Sequence, residues 1–151
     1  MIRKPFIAEA DALTALALRS KAHWGYSDDF MVACRDELTV TEQDLLAAHL
    51  SYRVLDVDAS LRGFYCLQRL SDEQFELDAL FVEPEHIGAG HGRELLAHAA
   101  TLALARGGRR LLIQGDPHAE PFYRAAGATQ VGTRPSGSIA GRELPLFELV
   151  L

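Results

Sequence analysis

The chain has 151 residues, 48% of them hydrophobic and 24% charged, with a formal net charge of -6 at pH 7. That length suits a single domain, residues 1–151, with one sizeable core, and the composition excludes a disordered or low-complexity chain. The acidic balance argues against a nucleic-acid partner, because a basic face supplies most of the affinity for a phosphate backbone. Ile2 to Ile7 is short and β-prone. From Ala10 to about Lys21, Leu13, Leu16, Ala17 and Ser20 recur at helical spacing and predict one buried stripe. His23-Trp24-Gly25-Tyr26-Ser27 interrupts that pattern. Asp28 then caps a second expected helix from Asp29 to about Glu37, and Thr41-x-x-Asp44 is a capping box for a short third one through about His49.

Tyr52 to Val57, Leu61 to Leu70 and Phe75 to Val82 predict three strands, separated by the polar breaks Asp58-Ala59-Ser60 and Ser71-Asp72-Glu73. An antiparallel meander is the economical reading. A helix from about Gly90 to Ala105 ends at Arg106-Gly107-Gly108, and Arg110 to Gly115 returns as a strand parallel to the one before that helix. Asp116-Pro117 opens a helix through about Ala126, which Gly127 ends. Thr129 to Thr133 and Leu144 to Val150 are expected to close the sheet, with a turn-rich loop from Arg134 to Glu143 between them. No apolar run reaches the length of a bilayer span, and the first residues lack a signal peptide's apolar core, so a cytoplasmic chain without membrane contact is expected. Cys34 and Cys66 suggest no disulfide framework, and the histidines lack the His-Glu-x-x-His spacing, so no metal is expected.

Chemistry concentrates between Leu80 and Leu96, where an apolar strand, a proline, three glycines and a helix start follow one another. Gly88, Gly90 and Gly92 can bring backbone amides up to a ligand, and the unpaired N–H groups and dipole of the helix start favour an anion such as a phosphate. A plain tight turn is the competing reading. The glycines run G-x-G-x-G with no Lys-Ser or Lys-Thr after them, which excludes a nucleotide-hydrolysing P-loop and a dinucleotide fingerprint.

The pattern Val82-x-Pro84-x-x-x-Gly88-x-Gly90-x-Gly92-Arg93-x-Leu95-Leu96, followed by Phe122-Tyr123-Arg124-Ala125-Ala126-Gly127-Ala128, resembles the GCN5-related N-acetyltransferase family over most of the chain. The resemblance implies an α/β fold with a central, mostly antiparallel sheet, a splayed parallel strand pair and flanking helices. It implies acetyl-CoA as co-substrate and direct transfer to a primary amine of a small molecule or peptide in a ternary complex. Ile87 to Gly92, with Ala89 and His91 between the glycines, fills the family's pyrophosphate loop, although Ile87 stands where Gln or Arg is usual. Phe81 and Val82 take the place of backbone partners of the pantetheine arm. Arg93 faces a phosphate or stays solvated, and the resemblance also assigns Phe122 and Asp116 to the cofactor, although Asp116 stands where the family often has Asn and a carboxylate accepts but does not donate.

Tyr123 matches the tyrosine that protonates the departing thiolate in many members, with Phe122 beside it as a packing anchor. A phenol of ordinary pKa about 10 is protonated at neutral pH, and simple packing is the bland alternative. Glu76 and Asp78, two residues apart on a strand, share a face. Counted back from the loop, Glu76 matches a glutamate base of some members; Asp78 is assigned to the substrate, and His23, His118 or water are the other base candidates. His23, Trp24 and Tyr26 fall where the family borders its acceptor pocket, or else Trp24 plugs the edge of the core. A non-catalytic acyl-CoA sensor and an enzyme for a longer acyl chain stay open, as does a homodimer.

Overall fold

A computed structural model describes residues 1–151. The strands are β1 (Ile2–Arg3), β2 (Leu50–Val57), β3 (Ser60–Arg69), β4 (Gln74–Val82), β5 (Arg110–Gln114), β6 (Thr129–Pro135) and β7 (Glu143–Val150). The helices are α1 (Ala10–Ala22), α2 (Asp28–Leu38), α3 (Glu42–Leu46), α4 (His91–Ala105) and α5 (Glu120–Ala125). One seven-stranded sheet runs in the order β1-β2-β3-β4-β5-β7-β6. Every neighbouring pair is antiparallel except β4 and β5, which are parallel because α4 carries the chain across between them.

The sheet separates two apolar layers. On one face α1 presents Leu13, Leu16 and Ala17 to Val54 and Phe64, all nearly inaccessible, and Ser20 completes the predicted stripe. On the other face α4 packs Leu95, Leu96, Ala99 and Ala103 against Leu67, Phe75, Leu77 and Leu111. Gly63 sets how closely α4 lies on β3. A Cβ there would stand 2.7 Å from the Phe81 carbonyl oxygen and 2.9 Å from Leu95 Cδ1, so any side chain would push helix from sheet.

Several boundaries differ from the sequence reading. Strand β1 stops at Arg3, whose guanidinium is held by Glu9 and Asp56, and Glu9 also accepts from the Phe6 amide; Ile7–Glu9 becomes a 3-10 turn instead of more strand. Ser27, not Asp28, caps α2, its Oγ accepting from the Phe30 amide at 3.2 Å. The Thr41–Asp44 capping box forms in both directions, but α3 ends at Leu46 because Ala47 turns extended. The segment opened by Asp116 begins as a 3-10 turn, Pro117–Ala119, before α5. The β6–β7 ladder reaches Pro135 and Glu143, so only 136–142 is loop.

Candidate active site

The site begins with an irregularity in β4. Cys66 pairs with Ala79 and Leu67 with Leu77, which leaves Asp78 as the extra residue of a β-bulge. The bulge changes parity: Phe75 and Leu77 face α4 before it, Leu80 and Val82 after it, while Ala79 and Phe81 turn to the α1 face. Pairing of β4 with β5 ends at Leu77 and Ile113, so from Asp78 to Val82 the strand has a neighbour on the β3 side only. The expected splay is therefore present. Through it a cleft of about 1540 Å³ runs from one face of the sheet to the other, lined by Phe64 and Val40 on one side and Leu77, Leu96 and Tyr123 on the other.

The glycine loop forms one end of this cleft. Gly88 and Gly90 have φ of 92° and 86°, and an added Cβ would meet nothing within 4 Å at either, so glycine is required here by backbone angle and the space above is open. Gly90 precedes α4 without any side-chain cap. Ala89 N–H is taken by the His86 carbonyl, whereas the amides of Gly88, Gly90, His91, Gly92 and Arg93 have no partner within the protein. These free donors lie at the start of α4, the positive end of its dipole. Gly92 is small for packing: a Cβ would lie 3.1 Å from Phe122 Cε1, the contact that seats α5 against the start of α4. Ile87 is 45% exposed and Arg93 is exposed without an ion pair, both along the cleft. His86 beside them accepts at Nδ1 from Arg62 Nη1 at 2.9 Å, an anchoring that has no motif in the sequence.

Asp116 follows β5 and is committed to the protein. Its carboxylate accepts from Tyr26 Oη at 2.7 Å, Lys21 Nζ at 3.0 Å and the His118 amide at 2.9 Å, with Arg142 at 3.9 Å. Burial alone would raise its pKa, but the bonds from Tyr26, His118 and Lys21 outweigh burial and hold it below the ordinary carboxylate value. Tyr26 is stacked on Phe30 at 4.1 Å, receives a hydrogen bond from Arg142, and has its phenol pushed up to about 12 by burial and by Asp116. Trp24 lies flat on His118 at 5.1 Å and is 41% exposed. Of the aromatic connection, Trp24 lines the cleft; His23 and Tyr26 stand behind it.

Tyr123 is 6% exposed, packed between Phe122, Phe147 and Gly115. Its hydroxyl has no hydrogen-bond partner, yet the sole sealed and unpartnered side-chain polar atom is Arg62 Nε, so the hydroxyl keeps an opening to the cleft. Burial, reinforced by the charge of Asp116, raises its pKa well above the ordinary phenol value, which removes the alkaline ionisation near 10 that an exposed tyrosine would show.

Across the cleft, Glu76 is paired with Arg134 Nη1 at 2.6 Å, and the same nitrogen reaches Gln114 Oε1 at 3.2 Å. Asp78 is exposed along the cleft beside it; desolvation between the cleft walls, then a hydrogen bond shared with Glu76 and the charge of that carboxylate, raise its pKa to about 7. Ser138 donates to Glu37 and Arg142 lies 4.8 Å above the Phe30 ring, so the β6–β7 loop is tied to α2 over this end. Arg134, Arg142, Lys21 and Glu37 were not foreseen. They lie far apart in the chain, and only the placement of β6 at the sheet edge and of α2 above it brings them together.

The sheet is thus split at its one parallel pair, with free amides at the helix start beside the split. A model of the acetyltransferase (GNAT) family matches residues 16–128. No curated relative matches. Among solved structures, PaiA N-acetyltransferase from Thermoplasma acidophilum in complex with coenzyme A superposes with a TM-score of 0.82 at 19% identity, over 100% of this chain and 98% of that one. An aminoglycoside 6'-N-acetyltransferase complexed with coenzyme A gives 0.74 at 18% identity, over 99% and 96%. YncA from Salmonella typhimurium with its cofactor acetyl-CoA gives 0.68 at 21%, over 99% and 92%. The chain belongs to the acetyltransferase (GNAT) family.

Proposed function

We propose that the protein moves an acetyl group from acetyl-CoA directly to the primary amine of a small molecule or peptide, both bound at once. The observation that carries this reading is the continuity of one cleft from the unpaired amides of Gly88 to Arg93, along the free edge of β4, to the carboxylates at the bulge. A pyrophosphate fits the amides, with Arg93 as an added cation. An extended amide-bearing arm fits the free edge of β4 at Phe81 and Val82, where the backbone groups of Val82 face away from β3 and can hydrogen-bond it. Asp116, already saturated by Lys21, Tyr26 and His118, acts by ordering the acceptor end and not by reaching the cofactor.

The amine nitrogen attacks the thioester carbonyl carbon, the N–C bond forms and the C–S bond breaks. Tyr123 supplies a proton to the leaving thiolate, because its hydroxyl has no other partner and its environment keeps it protonated across the working range. Carboxylate at the bulge of β4 receives the proton of the amine. No covalent enzyme intermediate is invoked, since Cys34 and Cys66 are both buried, at 3% and 2% exposure.

Release of free thiol from acetyl-CoA, measured against a panel of amines, tests the reading with wild type and Tyr123→Phe. The variant keeps the ring and the contacts with Phe122 and Phe147. Turnover with wild type and a fall in kcat of about a hundredfold to ten-thousandfold in the variant, with acetyl-CoA affinity unchanged, is expected. Turnover on any amine eliminates a pure sensor; acetyl-CoA binding without turnover on any amine supports one. A Tyr123→Phe enzyme with wild-type kcat removes the proton-donor assignment.

A further inference from the structure

Within the amine acetylation proposed above, we propose that Asp78, and not Glu76, takes the proton from the acceptor amine, with the Arg134–Glu76 pair as the device that positions it.

The geometry separates two carboxylates that the sequence leaves equivalent. Glu76 lies within the paired part of β4, opposite Leu112 of β5; its Oε1 accepts from Arg134 Nη1 at 2.6 Å, and its carboxyl group shares a hydrogen bond with that of Asp78. Taking up a proton would cancel the charge that holds Arg134, so Glu76 is the poorer proton acceptor of the two. Asp78 has no ion pair of its own. It is the extra residue of the bulge and the first residue beyond the last β4–β5 pair, so it stands where the strands part, on the side where an acceptor must enter. A regular strand would have put residue 78 in the ladder; the bulge frees it, which is a known use of bulges beside active sites.

The charges facing Asp78 agree with a proton acceptor. Glu76 on the same strand and the nearby Cys66 thiol and Tyr52 phenol of β3 and β2 surround it, and Arg134 approaches from β6. Asp44 of α3 faces the same Tyr52 and Cys66, and Glu37 of α2 lines the cleft. Arg134 is the cation among them, and it is bound to Glu76. With its proton affinity raised to about 7 by burial and by Glu76, Asp78 accepts a proton near neutrality and returns it readily.

The balance closes without a further reagent. An acceptor arriving as an ammonium gives one proton to Asp78, and the neutral amine lone pair forms the N–C bond. The C–S bond then breaks, the thiolate takes the Tyr123 proton, and the tyrosinate recovers a proton from the protonated amide nitrogen. Asp78 releases its proton to solvent.

The test is the pH dependence of kcat in wild type, Asp78→Asn and Glu76→Gln, alongside carbon-13 NMR titration of the Asp carboxyls in wild type. Expected are an acid limb near pH 7 in wild type and a carboxyl titrating near 7 that disappears in Asp78→Asn. In that variant kcat drops about a hundredfold to ten-thousandfold and the limb is gone. In Glu76→Gln the limb persists but moves to lower pH, because an anionic neighbour has been removed. An Asp78→Asn enzyme within a few-fold of wild type that keeps its limb overturns the assignment, as does loss of the limb in Glu76→Gln alone. Absence of turnover on every amine at every pH, with acetyl-CoA binding intact, instead removes the amine acetylation and the base role with it.

Discussion

Asp116→Asn tests the network that ties Lys21, Tyr26 and the His118 turn together. The carboxylate accepts three hydrogen bonds, two at Oδ2 from Tyr26 and Lys21 and one at Oδ1 from the His118 amide. An amide has one acceptor oxygen. If it faces Tyr26 and Lys21, the NH2 group confronts the His118 N–H; if it faces His118, the NH2 group confronts an ammonium that is 15% exposed. One bond is lost in the first orientation and two in the second, so the first is favoured, and its survivors become bonds to a neutral acceptor. At roughly 1.5–3 kcal/mol per hydrogen bond to a charged group, the loss should be about 2–4 kcal/mol. Asp116→Ala leaves Lys21 and Arg142 without their shared carboxylate and should cost about 3–5 kcal/mol.

Because the folded pKa of Asp116 is depressed, its stabilisation is complete above the unfolded carboxylate value, about 4, and is lost as pH falls through the lower folded value. The gap between wild type and Asp116→Asn should therefore be constant from about pH 5 upward and shrink on acidification. Urea unfolding followed by circular dichroism should show a midpoint lower by about 1–2 M at neutral pH. A loss under about 0.5 kcal/mol in both variants, or a gap that does not narrow between about pH 5 and pH 3, would refute the network as a stabilising unit.

Gly90→Val meets no atom within 4 Å but must hold a φ of 86°, so it should destabilise by roughly 1–2 kcal/mol while weakening acetyl-CoA binding at least tenfold by calorimetry. A folded variant that binds as tightly as wild type rules out the cradle. Trp24→Ala should raise KM for the amine and leave acetyl-CoA affinity unchanged if the part of the cleft where Trp24 lies on His118 takes the acceptor as proposed; equal losses in both would mark a structural tryptophan. For Asp78 the folded pKa lies above the unfolded one, so its contribution to stability falls as pH rises from about 4 to about 7 and then levels. Asp78→Asn should therefore have a higher Tm than wild type at about pH 8 and no advantage below about pH 4, and a gain independent of pH would contradict the shifted carboxyl.

Much of the fold was legible because it depends on local pattern. The α1 stripe of Leu13, Leu16, Ala17 and Ser20, the meander of β2, β3 and β4, and the glycines before α4 are each written in consecutive residues, and the structure places them as read. Ends were less legible, since Ser27 and Asp28 are both competent caps and only the Phe30 amide decides between them.

By itself the sequence determined the order of elements, the parallel crossing around α4 and the place of the glycine loop at its start, because period, glycine angle and helix polarity act over a few residues. Tertiary structure alone decided the bulge at Asp78, since an extra residue shows only against the register of β3. It also decided the partners of Glu76 and Asp116, which lie 58 residues away at Arg134 and 95 away at Lys21. A carboxylate's chemistry is set by burial and by the charges within a few ångströms, and those are supplied by whichever strand or helix the fold lays beside it.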